Sequence, residues 1–286
     1  YDIDYLAGTL RFREPVLSRN SGLNPQFIIA EYEVFGVGER VNNAGGRAKW
    51  QTKDEKLQIG ATAIHDETDQ SKTDLVGADI TFRPGTGTEI RAEFARSDSE
   101  AKPGTGGAST KGAVAWLVEA EHHDENFDVL AYVKHTDGGF GVGQINQGEI
   151  GTRKYGIDGR VRINDNLTVS ALGYQEDYLQ SGARRRAASA ELEYRTGDTT
   201  LRAGLTHAND KLDDGSTNKS TLAKIGGSQK LFNDKLELTA QTEFAIGGED
   251  ESIDFPERHT VGARYAINKD IQLVGSYEIA KGENID

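Results

Sequence analysis

Val76-Gly77-Ala78-Asp79-Ile80-Thr81-Phe82-Arg83 leads into the turn residues Gly85-Thr86-Gly87 and out again through Glu89-Ile90-Arg91-Ala92-Glu93-Phe94. Val76, Ala78, Ile80 and Phe82 share one parity, while Gly77, Asp79, Thr81 and Arg83 share the other. An extended chain with this pattern is dry on one side and wet on the other. Beyond the turn the alternation resumes, with Ile90, Ala92 and Phe94 opposed to Glu89, Arg91 and Glu93.

The same unit recurs from about residue 45 to the end. Tight turns read Lys53-Asp54-Glu55, Gly85-Thr86-Gly87, Asp124-Glu125-Asn126, Asn164-Asp165-Asn166, Gly197-Asp198, Phe232-Asn233-Asp234 and Asn268-Lys269-Asp270. Asn, Asp and Gly suit hairpins because they tolerate positive φ or close Asx hydrogen bonds. Longer polar loops are expected at residues 66–73, 97–112, 136–153, 176–184, 209–219 and 247–258. Short and long connections alternate, which puts every tight turn at one end of the strands. Alternation continues in Tyr155-Ile157-Gly159-Val161, Ala188-Ala190-Leu192-Tyr194, Leu236-Leu238-Ala240, Val261-Ala263-Tyr265 and Ile271-Leu273-Tyr277. Two segments are less regular. Leu167-Val169-Ala171 and Leu172-Tyr174 occupy opposite parities, and residues 219–231 carry two central glycines. Roughly fifteen strands are expected, counting residues 27–35 and 47–52.

Composition narrows the function. The chain has 286 residues, 34 of them Gly and 5 Pro, is 36% hydrophobic, and has a net charge of -13. No apolar run approaches the roughly 18 residues of a spanning helix. A polyanion does not favour nucleic acid, whose affinity comes from Lys and Arg neutralising phosphates. With no cysteine, disulfides, thiolate metal sites and thiol nucleophiles are excluded. With no methionine, a processed or truncated chain is expected.

A soluble sandwich or solenoid also alternates dry and wet faces. It gives no reason for long loops to gather at one end, and its core face should carry large residues. Here Ala and Gly mix with branched aliphatics, and aromatics sit towards the ends of the dry face. Phe82, Phe127, Tyr194, Phe232 and Tyr265 flank the tight turns; Phe94, Phe244 and Tyr277 are expected near the long loops. Two aromatic belts about one strand apart suit two lipid interfaces. A lipid-facing Lys or Arg near midplane costs roughly 2–4 kcal/mol, and the strands place their charges on the wet side. The fold class expected is all-β: an antiparallel up-and-down transmembrane β-barrel of about 16 or more strands.

This pattern resembles the Gram-negative outer-membrane β-barrel class, porin-like, over residues 27–286. The resemblance implies a bacterial outer-membrane location, periplasmic tight turns and external loops. Residues 1–26 read as an entry segment with a hairpin around Leu6–Gly8. The string Tyr1-x-Ile3-Asp4-Tyr5-x-x-Gly8-x-Leu10-x-Phe12 is similar to segments preceding barrel strands in some very large outer-membrane proteins, which implies a section of a longer polypeptide. With periplasmic tight turns, the last strand runs outward, so at least one further strand is expected beyond residue 286.

Barrels of this size leave an aqueous lumen. The expected pore lining is Asp79, Glu89, Arg91, Glu93, Asp158, Arg160, Arg162, Glu191, Glu193, Arg202, Lys224, Glu237, Gln241, Glu243 and Arg264. Opposed charge ladders could set ion selectivity. Residue by residue, cross-strand pairs that solvate the wall and fix register are the simpler account. The acidic loops around Asp66-Glu67, Asp210–Asp214 and Glu249–Asp254 read as solvated external loops, though they could hold divalent cations or bridge them to lipopolysaccharide phosphates. No cofactor is expected. His122-His123 lacks a nearby third ligand and reads as a surface pair. Gly138–Gly143 lacks the strand–helix setting of a phosphate loop and reads as an external loop, or one folded into the mouth. No Ser–His constellation stands out, so an enzyme is not expected. The leading function is a polar, water-filled passage for solutes or a larger cargo. The expected partners are outer-membrane lipid and lipopolysaccharide, with periplasmic or surface proteins as further candidates. The alternatives are a structural or surface-binding barrel with a blocked lumen, and a soluble β-sandwich adhesin module.

Overall fold

The computed structural model describes residues 2–4, 9–11, 41–68, 71–103, 109–141 and 151–283. The chain divides into two units, Tyr1–Glu39 and Arg40–Asp286. In the first, β1 (Asp2–Asp4) pairs antiparallel with β2 (Thr9–Arg11), in the register Asp2↔Arg11. This is the hairpin expected around Leu6–Gly8. The strand expected at 27–35 lies outside the described residues.

The second unit is one sheet of fourteen antiparallel strands, each hydrogen-bonded to its sequence neighbours. They are β3 (Ala44–Gln51), β4 (Leu57–Glu67), β5 (Ser71–Gly85), β6 (Thr88–Ala101), β7 (Thr110–His123), β8 (Phe127–Thr136) and β9 (Thr152–Arg162). There follow β10 (Leu167–Tyr178), β11 (Arg184–Thr196), β12 (Thr199–Lys211), β13 (Thr217–Leu231), β14 (Leu236–Asp250), β15 (Glu257–Ala266) and β16 (Gln272–Lys281). Among the described residues, β3 and β16 are each paired on one side only. The topology is the up-and-down order expected.

All seven tight turns lie where the Asn, Asp and Gly clusters place them. Asp124 Oδ1 accepts from the backbone N–H groups of Asn126 and Phe127, at 2.8 and 2.7 Å. Those donors hold its carboxyl below the usual range. Asn164 and Asn268 close the equivalent turns before β10 and β16. Phe232, Asn233 and Asp234 all adopt positive φ, between 56° and 63°.

The long connections are shorter than expected because the strands run further. β5 begins at Ser71, β6 ends at Ala101, β12 ends at Lys211 and β14 ends at Asp250, each inside a segment expected to be loop. Hydrophobic alternation stops where residues of both parities are polar, but the ladder does not. The irregular segments also resolve. In β10, Leu167, Val169 and Ala171 pair with the apolar residues Tyr194, Leu192 and Ala190, while Leu172 and Tyr174 lie on the opposite face. In β13, the register shifts between Ser220 and Leu222.

Burial is inverted relative to a water-soluble sheet. Val76, Ile80, Phe82, Phe94, Ile157, Leu192, Leu205, Ile225 and Val261 are exposed. The buried apolar residues are Ala95, Ala113, Leu130, Ala187, Ala208 and Leu222, and all share the face that carries the charges. Thr73, Ser97, Asp128, Asp210 and Ser220 are buried there too. The polar face is therefore the crowded one. Burying one large apolar side chain is worth about 1.5–3 kcal/mol. About twenty left in water would forfeit tens of kcal/mol, against the ~5–15 that hold a typical fold together.

Gly87 tests the turn geometry. Its φ is +76°, and a Cβ there would lie 2.0 Å from the His123 carbonyl oxygen. Gly87→Ala is expected to cost about 1–3 kcal/mol. Gly215→Ala, at φ +86° in open space, should cost less. Urea unfolding midpoints of the micelle-folded chain measure both.

Candidate functional site

The fifteen residues expected to line a pore all lie on the polar face, and most are drawn into cross-strand pairs. Asp79 meets Arg47 Nη2 at 2.8 Å, and Arg47 Nη1 donates to Thr62. Arg83 Nε lies 2.7 Å from Glu89, and Arg91 bridges Glu89 at 3.6 Å and Glu119. Arg160 Nε donates to Asp128 at 2.8 Å. Arg202 reaches Glu193 at 2.8 Å and Glu191 at 3.9 Å, and Glu191 also takes Lys224 at 2.6 Å. Arg264 pairs with Glu237 at 2.5 Å, and Gln241 donates to Glu243 at 2.8 Å. Three stand apart from this ladder. Asp158 lies between Leu130 and Leu172, Glu93 lies opposite Asp79 and Leu117, and Arg162 stands at the tight-turn end. Half-exposed pairs of this kind are worth roughly 0.2–1 kcal/mol each. Their larger effect is on register.

Several wall residues escaped the sequence reading. Asp128 is 3% exposed and accepts from Arg160 directly after a turn, where alternation has barely begun. Glu119 follows the apolar run Trp116-Leu117-Val118, which hides its parity. Tyr132, Gly156 and Tyr174 form one cross-strand row on the same face. A Cβ on Gly156 would lie 2.8 Å from the Tyr132 hydroxyl, so the missing side chain is what admits that ring. Lys154 Nζ sits 4.4 Å over the Tyr174 ring.

Two connections fold back over the polar face. In the β14–β15 connection, the Ser252 N–H donates to Ser220 Oγ at 3.0 Å, and Ser252 Oγ donates to Asp210 Oδ2 at 2.7 Å. Arg185 forks onto Asp210, at 2.7 and 2.9 Å, and also grips Asp254. Its guanidinium lies 5.8 Å from the Phe255 ring. The loop thus crosses β13 and β12 to reach β11. At the start of the β8–β9 connection, the Gly141 N–H donates to the buried Ser97 Oγ at 3.1 Å; the rest of that glycine run lies outside the described residues.

The eight aromatics expected at lipid interfaces all lie outside the polar wall. Phe82, Phe94, Phe127, Tyr194, Phe244, Tyr265 and Tyr277 are exposed on the apolar face, and exposed Phe232 sits in the turn before β14. Because the strands run on, Phe94 and Phe244 stand six or seven residues short of their strand ends, at the edge of the apolar run rather than beside loops. Both tryptophans share this face: Trp50 beside the first tight turn, and Trp116 opposite Phe94. His122 and His123 point to opposite faces. His122 bonds Thr88 and Asp124, and His123 bonds Asp128.

Arg185→Gln is expected to free the 251–256 loop, so that a glutamate-specific protease cuts at Glu251 at least tenfold faster in the folded chain. Arg202→Gln, which breaks a wall pair away from the anchor, should leave that rate unchanged.

No protein-family model matches the chain, and no curated protein matches it. Among solved structures, the chain is similar to one in the FpvAI–pyocin S2 complex, with 13% identity, a TM-score of 0.47, and coverage of 79% of this chain and 43% of that one. It is similar to an anion-selective porin from Comamonas acidovorans, at 13% identity and TM-score 0.43, covering 83% of this chain and 90% of the porin. It is also similar to Salmonella typhi OmpF in complex with daunomycin, at 12% identity and TM-score 0.41, covering 85% and 90%. The chain thus spans 43% of the length of the first of these.

Proposed function

We propose that this chain forms part of the wall of a bacterial outer-membrane β-barrel, with lipid against its apolar face and water against its polar face. The observation that carries this reading is the inverted burial: large aliphatic and aromatic side chains are exposed on one face, while polar groups crowd the other. Consecutive antiparallel pairing satisfies the backbone without water, which a strand in hydrocarbon requires. A wall of paired, hydrated charges suits passive movement of polar solutes, or of a larger cargo through a wider complete barrel. Filtering would come from the wall and from the loops. No step in this passage needs a catalytic group.

The anchored loop over β11–β13 favours a second reading, in which the lumen is obstructed and the barrel serves as a structural or surface-binding element. Planar-bilayer recording separates the two. Steady open currents from the inserted full chain support passage; an inserted but silent protein supports the obstructed barrel.

The face assignment has its own test. Leu238 is 43% exposed on the apolar face, and Gln241 lies on the polar one. Leu238→Arg should impair insertion into lipid vesicles, at a cost of about 2–4 kcal/mol. Gln241→Arg should insert normally and shift the reversal potential towards anions. Equal tolerance of both would overturn the assignment.

A further inference from the structure

Among the described residues, the Lys, Arg, Asp and Glu side chains of the apolar face lie at the long-loop end of the strands, and their largest group of cations is a trio of arginines. Arg153 on β9 pairs in register with Asp177 on β10, which pairs with Arg184 on β11. Arg186 follows two residues along β11, on the same face, opposite Gln175. Lys211 flanks Arg184, and the His135–Asp137 pair flanks Arg153. Asp213 and Asp214 lie in the connection beyond Lys211. Arg184 Nε donates to Asp177 at 2.5 Å and Arg186 Nε to Gln175 at 2.7 Å. Among the described residues, neither Arg153 nor Arg186 makes an ion pair with a carboxylate. One acid therefore stands among three exposed guanidiniums, in a chain whose net charge is -13.

The trio begins where the apolar run ends. Arg186 is two residues beyond Ala188, and Arg153 is two residues beyond Tyr155, which is exposed on the apolar face. At the tight-turn end of the same strands, this face carries Ile163, Leu167, Tyr194, Thr196 and Thr199, with no cation. Neighbouring strands lie about 4.8 Å apart, so Arg153 and Arg184 are about 10 Å from each other across β10. Arginines at that spacing present forked donors that match phosphate oxygens, and the aliphatic and aromatic surface beside them suits acyl chains.

We propose that this patch binds the phosphate groups of a phosphorylated membrane glycolipid, which would place the long-loop end in the leaflet that holds it. The proposal rests on the membrane reading above and adds a specific lipid site to it.

The test uses the full chain in phosphatidylcholine nanodiscs doped with diphosphoryl lipid A, with retention read by native mass spectrometry. The Arg153→Gln/Arg186→Gln pair keeps the Arg184–Asp177 bond and should lower retention about tenfold. Adding Arg184→Gln should abolish it, and Asp177→Asn should raise it. Dephosphorylated lipid A should be held equally weakly by all variants. Equal retention of diphosphoryl lipid A by the wild type and the double variant would overturn the site. So would inorganic pyrophosphate binding as tightly as the lipid, which would make it a free-anion site. Wild-type chain that fails to insert into the discs would overturn the membrane reading itself.

Discussion

Hydrocarbon offers a peptide group no hydrogen-bond partner, so a chain that meets lipid along one face must pair every N–H and C=O within its own sheet. Among the described residues, fourteen strands that bond to their sequence neighbours meet this demand in the simplest way. Two tight turns are drawn shut by Asn164 and Asn268 rather than by glycine. On the proposed reading, the two edge strands β3 and β16 are where the sheet continues or closes.

The two faces then carry separate duties. The apolar face is chemically plain, with Ala and Gly between branched and aromatic side chains. Its polar exceptions gather where the strands leave the apolar band. The polar face is dense with paired charge, and buried residues such as Asp128 and Asp210 each hold an arginine. This density leaves few wall charges free to act alone. On the proposed reading, selectivity would belong to the ladder as a set and to the loops laid over it. Ser252, 1% exposed and anchored to Asp210, ties a loop to the wall strand by strand.

Much of this was legible in sequence because two-residue alternation encodes face directly. Val76 to Phe94 already assigns β5 and β6, and the Asn, Asp and Gly turns locate the ends of seven hairpins. The failures have physical causes. Strand ends such as Ser97–Ala101 lie in segments where both faces are polar, so periodicity vanishes although pairing persists. Leu172 and Tyr174 break the pattern because they lie on the polar face, Leu172 opposite Asp158 and Tyr174 opposite Gly156. Trp50 and Trp116 fit the alternation but were not among the expected belt residues. The anchoring of Ser252 and Asp254 depends on Arg185 and Asp210, more than forty residues away, and no local pattern announces it.

The two tryptophans allow the central claim to be measured without altering the protein. Trp50 and Trp116 are the only tryptophans in the chain, and both lie on the apolar face. With the chain reconstituted in vesicles whose acyl chains carry bromine, their fluorescence should be strongly quenched, while aqueous iodide should have little effect. Efficient quenching by iodide with none by brominated acyl chains would mean that this face meets water or protein, and the account would be wrong.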